Sequence, residues 1–401
     1  MSNAGRLDSA VAVVGGGPVG MFAALALARR GVDVTLVEKG PDEVRSEWRG
    51  STIHPPTIDM IDELGLAGPL LEGAVRVRHL TFRDLELDIT ASFDYSLLDG
   101  LASHPYRLQY EQYRLVRRLR GALAAESGVE VAFHSTVVGL RQDRDRVELD
   151  VDTAAGRRVI RSAWVVGADG AHSAVREHIG VGFPGFTYVF KSLVAATPFP
   201  FEDHVPDLGA VSYWSGPNGR FSLIRTPETW RTALSTRTRS EERDDARIPQ
   251  PHPDFVRDVD LLLRGKVPAA DIELTQHQLY RSHQKVADSF RVGRVLLAGD
   301  AAHLTSTTGG MGLNSGIHDA RALAVALASG DPDREASAYA ERRRDIAMRV
   351  VQPVTTANRQ GADAFALEKR RERLEQLASL AGSPDTAKDY LVGASMIGTQ
   401  H

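Results

Sequence analysis

Val11-Ala12-Val13-Val14-Gly15-Gly16-Gly17-Pro18-Val19-Gly20 is the stretch from which the rest of the chain is read. A short apolar run feeds straight into a glycine-rich turn, and a helical pattern follows over residues 18–30. Gly15, Gly17 and Gly20 satisfy the spacing G-x-G-x-x-G. Gly15 permits a tight turn, Gly17 lets a pyrophosphate approach the backbone, and Gly20 lets the helix pack closely on the strand. Pro18 and Val19 open that helix, whose positive end suits phosphate. Residues 33–37 read as a second strand, and Glu38, followed by Lys39, stands where a carboxylate accepts the ribose hydroxyls of an adenosine. The unit predicts dinucleotide binding. A glycine-rich turn in an ordinary α/β unit would leave Glu38 unexplained.

Composition bounds what such a unit belongs to. At 401 residues the chain has room for two domains or one large interdigitated one. No apolar run reaches transmembrane length, and no charged N-terminal region precedes a sustained apolar one, so a cytoplasmic location is the default. Met1-Ser2-Asn3-Ala4 reads as a cloning remnant. The absence of cysteine excludes disulfides, thiolate metal sites and thiol catalysis, and the histidines lack metal-ligand spacing. A formal net charge of -4 argues against nucleic acid as a partner. The basic runs Arg342-Arg343-Arg344 and Lys369-Arg370-Arg371 are interleaved with acids at helical spacing, which reads as solvated helix faces.

Outward from Glu38, Arg49 lies in a polar connection, and prolines 55 and 56 open a helix that Gly65 closes. Residues 75–92 alternate like strands, and a strong helix is expected from about Gln109 to Ser127, with Leu115, Leu119 and Leu123 on one face. Short strands at 129–133, 136–141, 147–152 and 157–161 suggest a meander attached to a parallel sheet. The buried run 163–166 then delivers Gly167-Ala168-Asp169-Gly170, with Ser173 as a helix cap. Residues 186–290 turn to aromatic-rich alternation, which predicts an inserted antiparallel sheet. A buried strand returns at 293–298 and ends on Gly299-Asp300, and helices are expected at 316–327, 334–350 and 363–380. Glu38, Asp169 and Asp300 would meet at the carboxyl edge of a doubly wound sheet, touching one extended ligand from three places.

These motifs, together with Gly309-Gly310-Met311-Gly312-Leu313-Asn314 and the residues that follow to Ala320, resemble the class A FAD-dependent monooxygenases, the para-hydroxybenzoate hydroxylase-like aromatic hydroxylases. The resemblance implies an α/β fold: a Rossmann-like FAD-binding domain, an inserted antiparallel-sheet substrate domain and a helical C-terminal region. Residues 5–75, 101–185 and 291–401 would form the FAD-binding domain, and 76–100 with 186–290 the substrate domain. It further implies that Glu38 binds the adenosine ribose, Arg49 reaches the phosphates, Gln109 contacts the flavin chain and Asp300 holds the ribityl hydroxyls. Asp169 would support both FAD and the nicotinamide donor, and Gly312, Leu313 and Asn314 would set backbone N–H groups at the pyrimidine end of the flavin. The implied activity is hydroxylation of an aromatic or heteroaromatic small molecule with O2 and NADPH or NADH, through a flavin hydroperoxide, by a monomer or homodimer.

The departures from the family pattern matter too. His172 stands where many members carry arginine, and Ser306-Thr307 replace a prolyl pair beside the flavin; their hydroxyls are expected either to cap the loop at Gly309-Gly310, the favoured reading, or to face the flavin and bear on its hydroperoxide. No second G-x-G-x-x-G exists, which suits a reductant that docks transiently, and the thioredoxin-like C-terminal domain of the larger members is not expected here. The family needs no obligatory acid/base dyad, so Tyr213, Arg225 and His283 are only candidates for polarising a phenol. Epoxidation, oxidative ring cleavage, N-hydroxylation or non-catalytic binding on the same scaffold remain open at this point.

Overall fold

Residues Ser9–Val14 form the middle strand of a parallel sheet, and their near-total burial explains why the run is apolar without alternation. A computed structural model describes residues 8–44, 46, 50–217, 219–240, 251–264, 266–362 and 366–399 of the protein. In it the parallel strands run in the order Val295–Leu297, Gly156–Gly167, Ser9–Val14, Val34–Val37 and Val129–Ala132. The helix Pro18–Ala28 lies between this sheet's first strand and the helices Gln112–Leu123 and Met311–Leu327, so every residue from Gly20 to Leu27 is buried.

Two readings of the neighbouring chain change. The expected helix at Gln109 begins instead at Gln112, because Arg107–Gln109 is the central strand of a three-stranded sheet, paired with both Thr52–Ile53 and Val75–Val77. Glu111 keeps an extended backbone and serves as the N-cap residue, and the leucine face Leu115, Leu119, Leu123 starts only beyond it. Residues 156–167 form one strand rather than two. Its first half pairs antiparallel with Val147–Thr153 and its second half parallel with Ser9–Val14, the handover falling at Ser162.

A second sheet has seven strands in the order Gln276–Tyr280, Phe190–Thr197, Trp230–Arg239, Gly219–Arg225, Val211–Gly216, His79–Asp84 and Thr90–Asp94. A parallel ladder from Ser212–Ser215 to Thr81–Asp84 stitches the early hairpin onto the later strands. One apolar cluster covers Leu193, Trp214, Phe221 and Trp230 with the helix Pro253–Leu263. Another joins Phe82, Phe93 and Val211 to Leu374 and Leu391 of the C-terminal helices.

Those helices depart from expectation as well. After Met311–Leu327 come Pro332–Ile346, a wide π turn at Ala347–Val351, Gln352–Ala362, Leu367–Ala381 and a further helix, Pro384–Ala394. The last was not anticipated; it buries only Ala387 and Leu391, too few positions to show a periodic apolar face. Nor are the basic runs wholly solvated. Arg342, Lys369 and Arg371 are exposed, but the middle residues Arg343 and Arg370 are buried and paired with Asp319 and with Asp84 and Glu86. Among the described residues no helix is long and apolar enough to cross a membrane.

Candidate cofactor and substrate site

Register fixes the first half of the site. Leu297, Gly167, Val14 and Val37 lie in one row across four adjacent parallel strands. The segments that leave those strands carry Asp300, Asp169, Gly15 and Glu38, so the three acids expected at one sheet edge do share it. Gly15 has φ +111°, and a Cβ there would stand 2.4 Å from the carbonyl oxygen of Ala168. A Cβ on Gly20 would lie 1.9 Å from the Gly15 carbonyl oxygen. Gly17 is different: a Cβ would meet nothing within 4 Å, leaving open space directly at the helix N-terminus. A tight turn, a close helix approach and a vacant cradle are what a pyrophosphate needs, and the donors beside it fit the group.

The carboxylates behave in three different ways. Glu38 is half-buried and accepts hydrogen bonds from the backbone N–H groups of Gly16 and Gly40. Its remaining lone pairs leave room for ribose hydroxyls. Asp169 is committed to structure: it accepts from the Ser173 hydroxyl at 2.5 Å and from the Val175 N–H at 3.1 Å, capping the helix Ala174–His178. Asp300 is exposed on the short turn Gly299–Ala301. Val19 wedges between Gly299 and Gly316, where added Cβ atoms would fall 3.0 and 2.6 Å from its methyl groups. Lys39 is exposed, and Arg49 lies outside the described residues.

The second glycine loop leads into the helix Met311–Leu327. Gly309 and Gly310 have φ +103° and +70°, conformations a side chain would strain, and Gly310 also lies against Thr52. The N–H groups of Gly312 and Leu313 fall in the first turn, where no intrahelical acceptor exists. Asn314 braces the loop. Its side chain donates to the carbonyls of Thr52 and Gly310 at 3.0 and 2.6 Å and accepts from the His54 N–H at 2.8 Å. Burial, reinforced by Arg107, holds the His54 pKa well below its ordinary value, so a neutral imidazole donates through Nε2 to the Gly309 carbonyl at 3.0 Å.

Ser306 and Thr307 do not cap the loop with their hydroxyls. Ser306 is buried, its Oγ bonding Thr308, whereas the Thr307 hydroxyl meets the Tyr280 hydroxyl at 2.7 Å; only the Thr307 carbonyl accepts from Gly310 N–H. Local bonding by serine was legible, but the reach of Thr307 to a strand 27 residues earlier was not.

A part-open pocket lies against Gly309. The seven-stranded sheet contributes Leu80, Phe82, Tyr213 and Arg220; Arg107 comes from the short strand Arg107–Gln109, and the C-terminal helices close it with Asn358, Tyr390 and Ala394. Tyr213 stacks on Phe82 at 5.1 Å between ring centroids, and Tyr390 stacks on Phe93 at 4.2 Å. Burial raises the Tyr390 pKa despite nearby arginines, keeping its phenol protonated. Of the three candidates for substrate contact, Tyr213 lines this cavity. Arg225 lies elsewhere, over the Trp230 ring, and His283 bonds Thr187 on a small separate sheet. Gln109 is buried under Ser51 and Thr52, both of which donate to it. The glutamine at the helix N-terminus is Gln112, next to Gly50, a residue the sequence reading passed over because it placed the helix start too early.

The chain belongs to the class A FAD-dependent monooxygenases, the family of aromatic hydroxylases; a family model described as an FAD binding domain matches residues 8–354. It is a flavin monooxygenase by that membership. Among its relatives, para-nitrophenol 4-monooxygenase of Pseudomonas sp. (strain WBC-3) is 32% identical over 356 residues, covering 87% of this chain and 86% of the relative. The crystal structure of p-nitrophenol 4-monooxygenase PnpA from Pseudomonas putida DLL-E4 superposes with a TM-score of 0.88 at 27% identity, covering 96% of both chains. Aklavinone-11 hydroxylase, solved as a ternary complex with FAD and aklavinone, matches with a TM-score of 0.69 at 26% identity, over 82% of this chain and 63% of its own.

Proposed function

We propose that the protein hydroxylates a phenol-type aromatic ring held in the cavity beside Gly309, using O2 and either NADPH or NADH as reductant. The observation that carries this reading is the position of the cavity: an aromatic-walled space meets the glycine loop from which the helix Met311–Leu327 begins. When bound, FAD supplies the electron relay from nicotinamide and the activation of O2. Glu38 would hold its adenosine ribose, Gly15 to Gly20 its pyrophosphate, Asp300 its ribityl chain, and the N–H groups of Gly312 and Leu313 the negative charge gained at the pyrimidine end. Stacked pairs Tyr213/Phe82 and Tyr390/Phe93 orient a flat ring and exclude water, which favours oxygen transfer over wasteful release of hydrogen peroxide. The relatives named for nitrophenol support the choice of ring chemistry. We read residues 76–100 with 186–290 as the substrate side and the remainder as the FAD side.

The test is a panel of para- and meta-substituted phenols scored for stimulated NAD(P)H oxidation and hydroxylated product by mass spectrometry. Stimulation with product supports the reading. Steady oxidation that no aromatic accelerates, with all reducing equivalents recovered as hydrogen peroxide, would remove it.

A further inference from the structure

The loop that brings Gly309 to the pocket runs from the strand His303–Leu304 to the helix Met311–Leu327, and side chains of other elements hold it. Within it Ser306 is fully buried, and its N–H donates to Gln284 Oε1 at 2.6 Å. Gln284, itself buried on the strand His283–Val286, turns its other end to the helix Gln352–Ala362. There Nε2 lies 3.1 Å from the Gln352 carbonyl and 3.0 and 2.9 Å from the hydroxyls of Thr355 and Thr356. The orientation of this amide is forced, since a backbone N–H only donates and a carbonyl only accepts. Thr355 gives its own hydrogen to the Val351 carbonyl at 2.7 Å, on the π turn from which the helix starts, so toward Gln284 it accepts. Gln352 donates in turn to the Leu304 carbonyl at 2.8 Å, and the Thr307–Tyr280 hydroxyl pair secures the loop one residue beyond Ser306. The same helix reaches the pocket: Asn358 lines it, and its Nδ2 stands 3.0 Å from where a Cβ on Gly309 would lie.

We infer that Gln284 is a positioning residue: its amide ties the second glycine loop to the helix that bears Asn358, so the pocket face of the loop and the first turn of Met311–Leu327 keep one placement toward the flavin. The inference rests on the hydroxylase reading above and adds the group that fixes its geometry. An apolar side chain at 284 leaves the buried Ser306 N–H without an acceptor, a strain the loop relieves by shifting. A misplacement of about 1 Å can cost about a hundredfold in an oriented reaction. On the helix side the tie is redundant, because the two hydrogens of Nε2 face three acceptors. No single threonine is therefore needed, whereas the amide is.

The test compares the flavin-loaded wild type with Gln284→Met, which keeps the length and loses both hydrogen-bonding ends, and with Gln284→Asn, which keeps the amide but is too short to span both partners. Amide exchange over residues 304–310, read by mass spectrometry, should quicken about tenfold in Gln284→Met, as loss of a buried hydrogen bond requires. The midpoint potential of the bound flavin should fall by the equivalent of about fivefold in its preference for the reduced form, because the N–H groups of Gly312 and Leu313 are no longer held in place. With any phenol the wild type turns over, product formed per NAD(P)H consumed should fall about threefold or more, the balance appearing as hydrogen peroxide. The last two readouts do not depend on the fraction of protein folded, so a merely structural role would leave them unmoved. Gln284→Asn should shift all three in the same direction and decides the matter if Gln284→Met does not fold; Thr356→Val should shift none. Wild-type exchange in the Gln284 variants, faster exchange with the potential unmoved, or a Thr356→Val that behaves like Gln284→Met overturns the inference. A wild type that turns over no phenol removes the hydroxylase reading alone, and exchange and potential still decide for Gln284.

Discussion

At the scale of single residues, the first glycine motif divides into positions whose Cβ the backbone forbids and one, Gly17, whose Cβ meets open space. Gly20→Ala sets a Cβ 1.9 Å from a backbone oxygen and should destabilise the flavin-free protein by about 3 kcal/mol, read by urea unfolding. Gly17→Ala fills open space at an ordinary φ of -75°, so the flavin-free protein should keep its stability within about 1 kcal/mol while FAD affinity falls severalfold. Loss of stability in Gly17→Ala with FAD affinity intact would mean the open cradle is not where phosphate binds. Glu38→Ala and Asp300→Ala should each weaken FAD retention, since charge-assisted hydrogen bonds of this kind contribute about 1.5–3 kcal/mol. Glu38→Ala additionally frees the N–H groups of Gly16 and Gly40, so it should lower flavin-free stability where Asp300→Ala does not.

At the scale of elements, the helix Met311–Leu327 is anchored by a buried ionic cluster behind the second glycine loop. Arg343 Nε donates to Asp319 Oδ1 at 2.7 Å, His303 Nε2 pairs with Oδ2 at 2.8 Å, and Gly299 N–H donates to the same oxygen at 3.0 Å. Burial alone would raise the Asp319 pKa, yet Arg343 and His303 hold it well below the usual carboxylate range. Removing one partner strands the other, so Arg343→Met should cost about 3–5 kcal/mol in denaturant unfolding; a loss under about 1 kcal/mol would show the cluster is dispensable. Two buried histidines give the same region a pH signature. Burial, aided by Arg343, depresses the His318 pKa to about 3, and His54 is also held well below 6.5. Below the unfolded value of about 6.5 the unfolded chain takes up protons that the folded one refuses. Stability should therefore fall on acidification from pH 6.5 towards 3, by up to about 1.4 kcal/mol per pH unit for each histidine. His318→Asn should reduce that slope; a melting temperature flat from pH 7 to 5 would contradict it. None of this cluster was legible beforehand, because Arg343 sits in a run that looks solvated and only the packing of Pro332–Ile346 on Met311–Leu327 turns it inward. By contrast, the strand–turn–helix at Val11 to Gly20 could be read directly, since each of its glycines answers a local steric demand. Arg107, Tyr390 and the helix Pro384–Ala394 were missed because what makes them a cavity wall is contact between segments more than 280 residues apart.

At the scale of the molecule, a parallel sheet presents one edge to a dinucleotide, a seven-stranded sheet presents an aromatic wall, and the C-terminal helices close the space between that wall and the second glycine loop. The sequence holds one G-x-G-x-x-G fingerprint, so a nicotinamide reductant, as proposed above, would have no Rossmann unit of its own and would dock transiently beside the flavin. Coupling reduction to substrate presence then falls to flavin position, and rapid-mixing absorbance should show flavin reduction by NAD(P)H faster with a turned-over phenol present than without; equal rates for every turned-over substrate would contradict this coupling. The measurement that tests the central claim most directly is turnover of the flavin-loaded protein under 18O-labelled dioxygen in ordinary water, with the product analysed by mass spectrometry. The account predicts one labelled oxygen atom in the hydroxylated ring. Product oxygen drawn from water, or a protein that takes up no flavin at all, would contradict it.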